Sequence, residues 1–369
     1  AHVHVVLTST IRASLLLRSL WLTKAAAAVR GPGAMTNQFG TFAHTRRWAA
    51  DVDKTLLVRK GHVPVREGRV CYALGGVEGA QALEAVSFGA RAKAVSADAL
   101  PEDALLSALG GAVSWTAPRT LLQLVQLVPE TEDEVSAVCA AMSLLRWHEE
   151  NAFSGVDGSR TAMADGGSKR LRGGRSLHPR VDPVAIVLVS SADGSRCLLG
   201  RQARFPRGMF TCISGFVEHA ESVECAAVRE VAEETGVRCA SVQLVGSQPW
   251  PVGRGGHCEL MLGCTARASP EGEVIDVTAR GDQPGTGELE EARWFTRAEV
   301  RAMLEVSLRP PPDPSAPAPP AQAVTARHDG VAAAAEPEAE PAPPLRTPPP
   351  YAIAHHLVRR WAQEADAKL

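Results

Sequence analysis

The chain has 369 residues, 45% of them apolar and only 5% aromatic, and carries a formal net charge of −2. That length supports one large or two ordinary folded domains, and the near-even charge argues against a general polyanion binder. The 32 glycines and 26 prolines imply that part of the length is not packed, and the eight cysteines, with no CxxC pair, read as buried reduced thiols.

In chain order, residues 1–50 hold six Lys/Arg and no Asp or Glu. A basic, Ser-containing, acid-free leader with Arg spaced along an apolar helix has the character of a mitochondrial transit segment. The first methionine is Met35, so a competing reading places residues 1–34 outside the natural product. No apolar stretch reaches the roughly 20 residues needed to span a bilayer; "LLLRSLWLTKAAAAV" is broken by Arg18 and Lys24. No membrane association is expected.

Residues 51–150 mix strand-like runs ("TLLVRKGHV", "RVCYALGGV") with helical ones and are read as a separate N-terminal α/β domain. Its clearest helix is "PETEDEVSAVCAAMSLLRWHEEN", with acids first and Val135, Val138, Met142 and Leu145 at helical spacing. Residues 151–181 are Gly-rich and basic and read as a connector. Residues 182–308 interleave strands and helices with hairpins, which predicts a mixed β-sheet between helices. Pro and Ala dominate 309–350, read as disordered. In 351–369, Ile353, Leu357 and Trp361 line one face of a helix expected to pack on the preceding domain.

The most informative stretch is "GFVEHAESVECAAVREVAEETGV", residues 215–237. Ser222 is placed to cap a helix and Gly236 to end it, while Ala227, Val228, Val231 and Ala232 supply a packing side. Glu230 lies three residues before Glu233 and four before Glu234, so the three carboxylates point the same way and repel. A solvated acidic face is one explanation. A hard divalent cation, bound by a few carboxylates plus waters and substrate phosphates, is the other.

The spacing separates these readings. Gly215, five residues, Glu221, seven residues, then Arg229-Glu230-Val231-Ala232-Glu233-Glu234-Thr235-Gly236-Val237 resembles the Nudix box at every fixed position. Chance would produce that on the order of once per 10⁸ start positions. The resemblance implies a Nudix fold and hydrolysis of a pyrophosphate bond with Mg²⁺ or Mn²⁺. It implies Glu230, Glu233, Glu234 and Glu288 as metal ligands with the backbone carbonyl of Ser214. Glu233 is a ligand or the group receiving the water's proton, and Arg229 orients a box glutamate.

"SQPWP" at 247–251 is similar to a run that follows the box in the NADH pyrophosphatase branch of the superfamily. "LLRWH" at 144–148, "FPRGM" at 205–209 and "AIAHHL" at 352–357 agree with that branch. The implied substrate is NADH or NADPH, cleaved to AMP, or its 2′-phosphate, and reduced nicotinamide mononucleotide. Phe216, Gln248, Pro249, Trp250 and Ala354 are the implied substrate contacts. Phe216 and Trp250 are also compatible with simple core positions. No general nucleic-acid binding is expected, and a homodimer is left open.

Departures are plain. The branch often carries a zinc ribbon of two Cys pairs, but no cysteine lies between 139 and 197, so no structural zinc is expected. His178 stands where a substrate-contacting Tyr is usual. Other nucleotide substrates (ADP-ribose, coenzyme A derivatives, NAD-capped RNA) and an inactive nucleotide-sensing module are the alternatives.

Overall fold

The computed structural model describes residues 49–67, 69–74, 77, 84–117, 120–122, 132–251, 253, 257–277, 288–308 and 343–364. The basic leader up to residue 48 and most of the Pro/Ala-rich stretch, 309–342, lie outside the described residues. Among the described residues no helix is long and apolar enough to cross a membrane.

The first part of the chain builds two small sheets. Strand β1 (Ala49–Val58) lies between β4 (Ala73–Leu74) and the parallel β5 (Ala85–Ser96). Strand β2 (Val63–Arg66) lies between β3 (Arg69–Val70) and β6 (Ser114–Thr116). Two helices accompany them, α1 (Glu102–Ala108) and α2 (Glu132–Glu150). Val135, Val138, Met142 and Leu145 of α2 are all buried, packed on Leu56, Val86 and Phe88 of the sheet. Their spacing gives α2 one apolar stripe, which is why it is a surface helix seated on strands.

Residues 151–181 differ from the expected connector. They fold as a three-stranded antiparallel sheet, β7 (Ala162–Ala164), β8 (Lys169–Arg172) and β9 (Arg175–Leu177). The glycines that read as linker are its turn: Gly173 and Gly174, between the paired Arg172 and Arg175, have φ of 50° and 80°. A two-residue hairpin turn of this hand needs positive φ at both positions, which glycine adopts without strain. Arg170 is buried and anchors the sheet. Its Nε donates to Thr161 Oγ1 at 2.6 Å, and Nη1 donates to Glu84 at 3.0 Å and to His148 Nδ1 at 3.0 Å. Arginine only donates, so His148 Nδ1 is the acceptor and its Nε2–H donates to Gly167 O at 2.7 Å.

The second part is one six-stranded mixed sheet. It comprises β10 (Val181–Ser190), β11 (Arg196–Arg201), β12 (Ile213–Phe216), β13 (Cys239–Trp250), β14 (Cys258–Ala268) and β15 (Glu291–Thr296). The order is β13-β14-β10-β11-β15, with β12 also on β10. Only β10 and β14 run parallel. Central strand β10 reads "VAIVLV" from Val184 because both its faces are covered. Ala185, Val187 and Val189 face helix α3 (Val223–Thr235), while Ile186 and Leu188 face α4 (Arg297–Leu308) and α5 (Ile353–Glu364).

Ile353, Leu357 and Trp361 are buried, as their spacing predicts. The segment before them corrects the expectation of disorder through residue 350. Residues 343–350 are laid along the body: Arg346 N donates to Gly208 O at 2.9 Å, Arg346 O accepts from Phe210 N at 3.0 Å, and Thr347 N donates to Ser307 Oγ at 2.8 Å. Proline content hid this because the segment's backbone bonds are made to elements more than a hundred residues away or across the gap after α4. Gly208, at φ 78°, is required there: a Cβ would stand 2.6 Å from Pro344 O.

Three histidines, His148, His355 and His356, are withdrawn from water. Burial lowers all three pKa values, those of His355 and His356 to about 4. An unfolded imidazole titrates near 6.5, so below that pH the unfolded chain takes up protons the native state refuses. Stability is full above about pH 6.5 and is lost as pH falls toward 4, by on the order of 2 kcal/mol for each of the pair at pH 5. Thermal melts from pH 7.5 to 5 should show a falling Tm in a window where Glu221 and Glu299, whose pKa values are lowered, do not yet titrate. A flat Tm across it would refute burial of the neutral rings.

Candidate active site on the glutamate-rich helix

Helix α3 begins and ends as its residues dictate. Ser222 accepts a hydrogen bond from Cys225 N at 3.2 Å, and Gly236, left-handed at φ 71°, closes the last turn. The buried stripe is Ala226, Ala227, Val231 and Glu234; Val228, expected on the packing side, is exposed. The helix is thus rotated slightly from the expected orientation, and Glu234 lies inward, 5% exposed.

The charge problem is met by one guanidinium. Arg229 grips Glu221 with Nε and Nη2, both at 2.9 Å. Its Nη1 donates to Glu230 at 2.7 Å and Glu233 at 3.1 Å, and Nη2 also donates to Phe216 O at 2.9 Å. All five N–H donors are used, in a planar fork that lysine cannot reproduce. Glu221 accepts in turn from Glu218 N at 3.0 Å, which closes the loop from β12 into the helix. The guanidinium lowers the Glu221 pKa.

Opposing influences meet at Glu230. Burial raises its pKa; Arg229 opposes this, while Glu233 and Glu288 add to the rise. Glu288, exposed at the edge of the described residues before β15, therefore belongs to the same electrostatic neighbourhood. Glu230 lies directly on Gly215 of β12: a Cβ there would fall 1.8 Å from the carboxyl carbon. Ser214 precedes Gly215 in that strand, paired to Ile186. Among the described residues, no three His, Cys, Asp or Glu side chains are close enough to cage a metal unaided. The donor set is all hard oxygen, suited to an ion that completes its shell with water and substrate phosphate. The Gly215 cradle and the raised Glu230 pKa fit such an ion.

The expected substrate contacts separate into two groups. Trp250 pairs across the sheet with Glu259, and Glu259 with Asp182, while neighbouring Val184 pairs with Phe216. Phe216 and Trp250 therefore stand at the same end of the sheet, three strand spacings or about 14 Å apart. Trp250 is half-buried, its ring stacked on Tyr351 at 6.1 Å and 18°. Pro249 is half-buried beside it. Gln248 and Ala354 are buried, whereas Trp250 and Tyr351 pack against the first core. Gln248 is 1% exposed; its Nε2 donates to Tyr351 O and its Oε1 accepts from Ile353 N, both at 2.8 Å. It clasps the start of α5. Ala354 is buried in the core on that side. Tyr351 and Glu259 were not legible as site neighbours, because one enters from the C-terminal segment and the other by strand pairing.

The NUDIX domain family profile matches residues 179–315. The chain is 33% identical over 292 residues to the mitochondrial NAD(P)H pyrophosphatase NUDT13 of Mus musculus, covering 79% of this chain and 70% of that one. It is 43% identical over 183 residues to the NAD-capped RNA hydrolase NUDT12 of Homo sapiens, covering 47% and 37%. It is 34% identical over 275 residues to the chloroplastic Nudix hydrolase 19 of Arabidopsis thaliana, covering 72% and 61%. The chain thus spans less than two thirds of the human and Arabidopsis relatives.

Gly215→Ala tests the cradle. The added methyl occupies the space of the Glu230 carboxylate, so α3 should keep its fold while Glu230 is expelled. Circular dichroism should stay unchanged, and binding of Mn²⁺, followed by its paramagnetic effect on water relaxation, should weaken at least about tenfold. Unaltered Mn²⁺ binding would remove Glu230 from the ligand set.

Proposed function

The chain belongs to the Nudix family, and from that premise we propose that it is a divalent-metal-dependent pyrophosphohydrolase of NADH and NADPH. The products are AMP, or its 2′-phosphate, and reduced nicotinamide mononucleotide. The observation that carries this reading is the Arg229-organised set of box carboxylates seated on Gly215. The substrate is supported by the NAD(P)H pyrophosphatase name of the mouse relative.

Glu230, Glu233, Glu234 and Glu288, with the Ser214 carbonyl, are the groups that would hold Mg²⁺ or Mn²⁺. A divalent ion there supplies charge neutralisation for the diphosphate oxygens and a more acidic water. Water adds to one phosphorus, the bridging P–O bond breaks, and the bridging oxygen leaves with the second phosphoryl group. Glu233, exposed at the end of the Arg229 network, is either a ligand or the acceptor of the water's proton. Arg229 acts as a positioning residue, fixing Glu230 and Glu233 against the loop through Glu221. Phe216 and Trp250 bracket the base-binding space, with Tyr351 backing Trp250.

The basic, acid-free leader supports mitochondrial delivery. The mouse relative is named mitochondrial and the Arabidopsis relative chloroplastic.

Incubation with NADH and Mg²⁺ should yield AMP and reduced nicotinamide mononucleotide by mass. Glu234→Gln should lower kcat at least about 100-fold with an unchanged circular dichroism spectrum; a folded, active variant would remove Glu234 from the machinery. Trp250→Ala should raise KM more than it lowers kcat, with kcat/KM falling about 5- to 150-fold. Should Trp250 serve only to pack on Tyr351, Tm drops and every substrate suffers alike.

A further inference from the structure

We infer that Arg201, at the end of β11, is a positioning residue that fixes Glu288 beside the box carboxylates by clamping the segment that enters β15. This rests on the proposed function, in which Glu288 is a metal ligand, and adds to it a residue far from the box in sequence. Glu288 has the weakest local support of the four glutamates. The other three lie on α3, whereas Glu288 precedes β15 and belongs to no helix or strand. A ligating carboxylate is held in place by its own partners, so for Glu288 the hold has to come from outside its local backbone.

Arg201 is out of character with its strand. Cys197, Leu198 and Leu199 before it are buried and apolar, and Arg201 itself is only 9% exposed. A buried guanidinium needs acceptors to offset its desolvation. Two are supplied: the Glu290 carboxylate pairs with Nη1, and Phe205 O accepts from Nη2 at 3.3 Å. The backbone repeats the first link, because Glu290 N donates to Arg201 O at 2.8 Å and Arg201 stands opposite Glu291 at the start of β15. Glu290 is therefore fixed by both its amide and its carboxylate. The Nε–H of Arg201 is buried with no acceptor among the described residues. An apolar side chain here would avoid that cost, so packing alone does not account for the arginine, and its hold on Glu290 does.

Between the two glutamates, Leu289 turns into the core. It is 8% exposed and lies on Gly200, where a Cβ would stand 2.9 Å from Leu289 Cδ1 and 3.1 Å from Ile213 Cδ1. Leu289 and Ile213 thus share the space that Gly200 leaves open, and Ile213 immediately precedes Ser214 and Gly215 in β12. Gly200 and Thr211 exchange backbone bonds of 2.9 and 2.8 Å, tying the end of β11 to the approach to β12. Glu288 is carried on a segment pinned at 289 against β12 and at 290 against Arg201. Its charge is felt by Glu230, which lies on Gly215. Glu290 is engaged by Arg201, so of the two acids flanking Leu289 it is Glu288 that remains for a metal ion.

The test is a coupling cycle in the full chain, with Arg201→Met, Glu288→Gln and the double variant, read by Mn²⁺ binding through water proton relaxation. Arg201→Met should weaken Mn²⁺ binding about 10- to 100-fold, as loss of a partner that orients a ligand does, with an unchanged circular dichroism spectrum. In the Glu288→Gln background the same substitution should cost less than about twofold more, since Arg201 then has no ligand to place. Glu290→Gln keeps the side-chain volume at a half-exposed carboxylate and should weaken Mn²⁺ binding in the same direction; paired with Glu288→Gln, it carries the cycle where Arg201→Met does not fold. With NADH and saturating Mg²⁺, Arg201→Met should lower kcat while KM stays within about twofold of the parent's. Equal losses of Mn²⁺ affinity in both backgrounds would show Arg201 acting independently of Glu288 and overturn the assignment. So would unaltered Mn²⁺ binding with a raised KM, the mark of direct contact with the substrate. If the parent binds Mn²⁺ but leaves NADH intact, the proposed substrate fails and the cycle still decides Arg201. A parent that binds no Mn²⁺ overturns both.

Discussion

The five hydrogen bonds of the Arg229 guanidinium are the constraint on which the candidate site depends. Three glutamates in two turns repel, and desolvation raises the cost for Glu230. Arg229 offsets that repulsion while tying the helix to Glu221 and to the carbonyl of Phe216. The same residue therefore sets local charge and local backbone course. Gly215 completes the arrangement by removing the one side-chain atom that would displace Glu230.

The sheet carries this order across to Trp250. Because β10 is paired on one side with β12 and on the other with β14, the box glycine and Trp250 are held in a common frame. The C-terminal segment then closes that frame from outside. Gln248 caps the first residue of α5 and holds Tyr351 beside Trp250, so the stacked ring pair belongs to two distant parts of the chain. Residues 343–350 strengthen the attachment through Gly208 and Ser307.

The small sheet at 162–177 shows how a segment can stay ordered without thiolates. A buried Arg170, satisfied by Thr161, His148 and Glu84, ties β8 to the end of α2. It therefore connects the first core to the six-stranded sheet as a folded piece. The hairpin turn at Gly173–Gly174 brings its two strands together.

The sequence by itself determined the box: its spacing prescribes an amphipathic helix, its cap, its terminator and the carboxylates, because all of these are local and periodic. It also determined the mixed sheet, through the continuous apolar run of β10, and the apolar faces of α2 and α5. Composition misled where the decisive bonds are long-range. The prolines of 343–350 and the glycines of 173–174 have the local character of loops, and only tertiary pairing made them a strap and a turn. Gln248 reads as a polar contact residue beside Trp250, yet its two bonds reach over a hundred residues to the start of α5. Side-chain direction at such positions is settled by which backbone group needs a partner when the core closes, and that is information no local pattern contains.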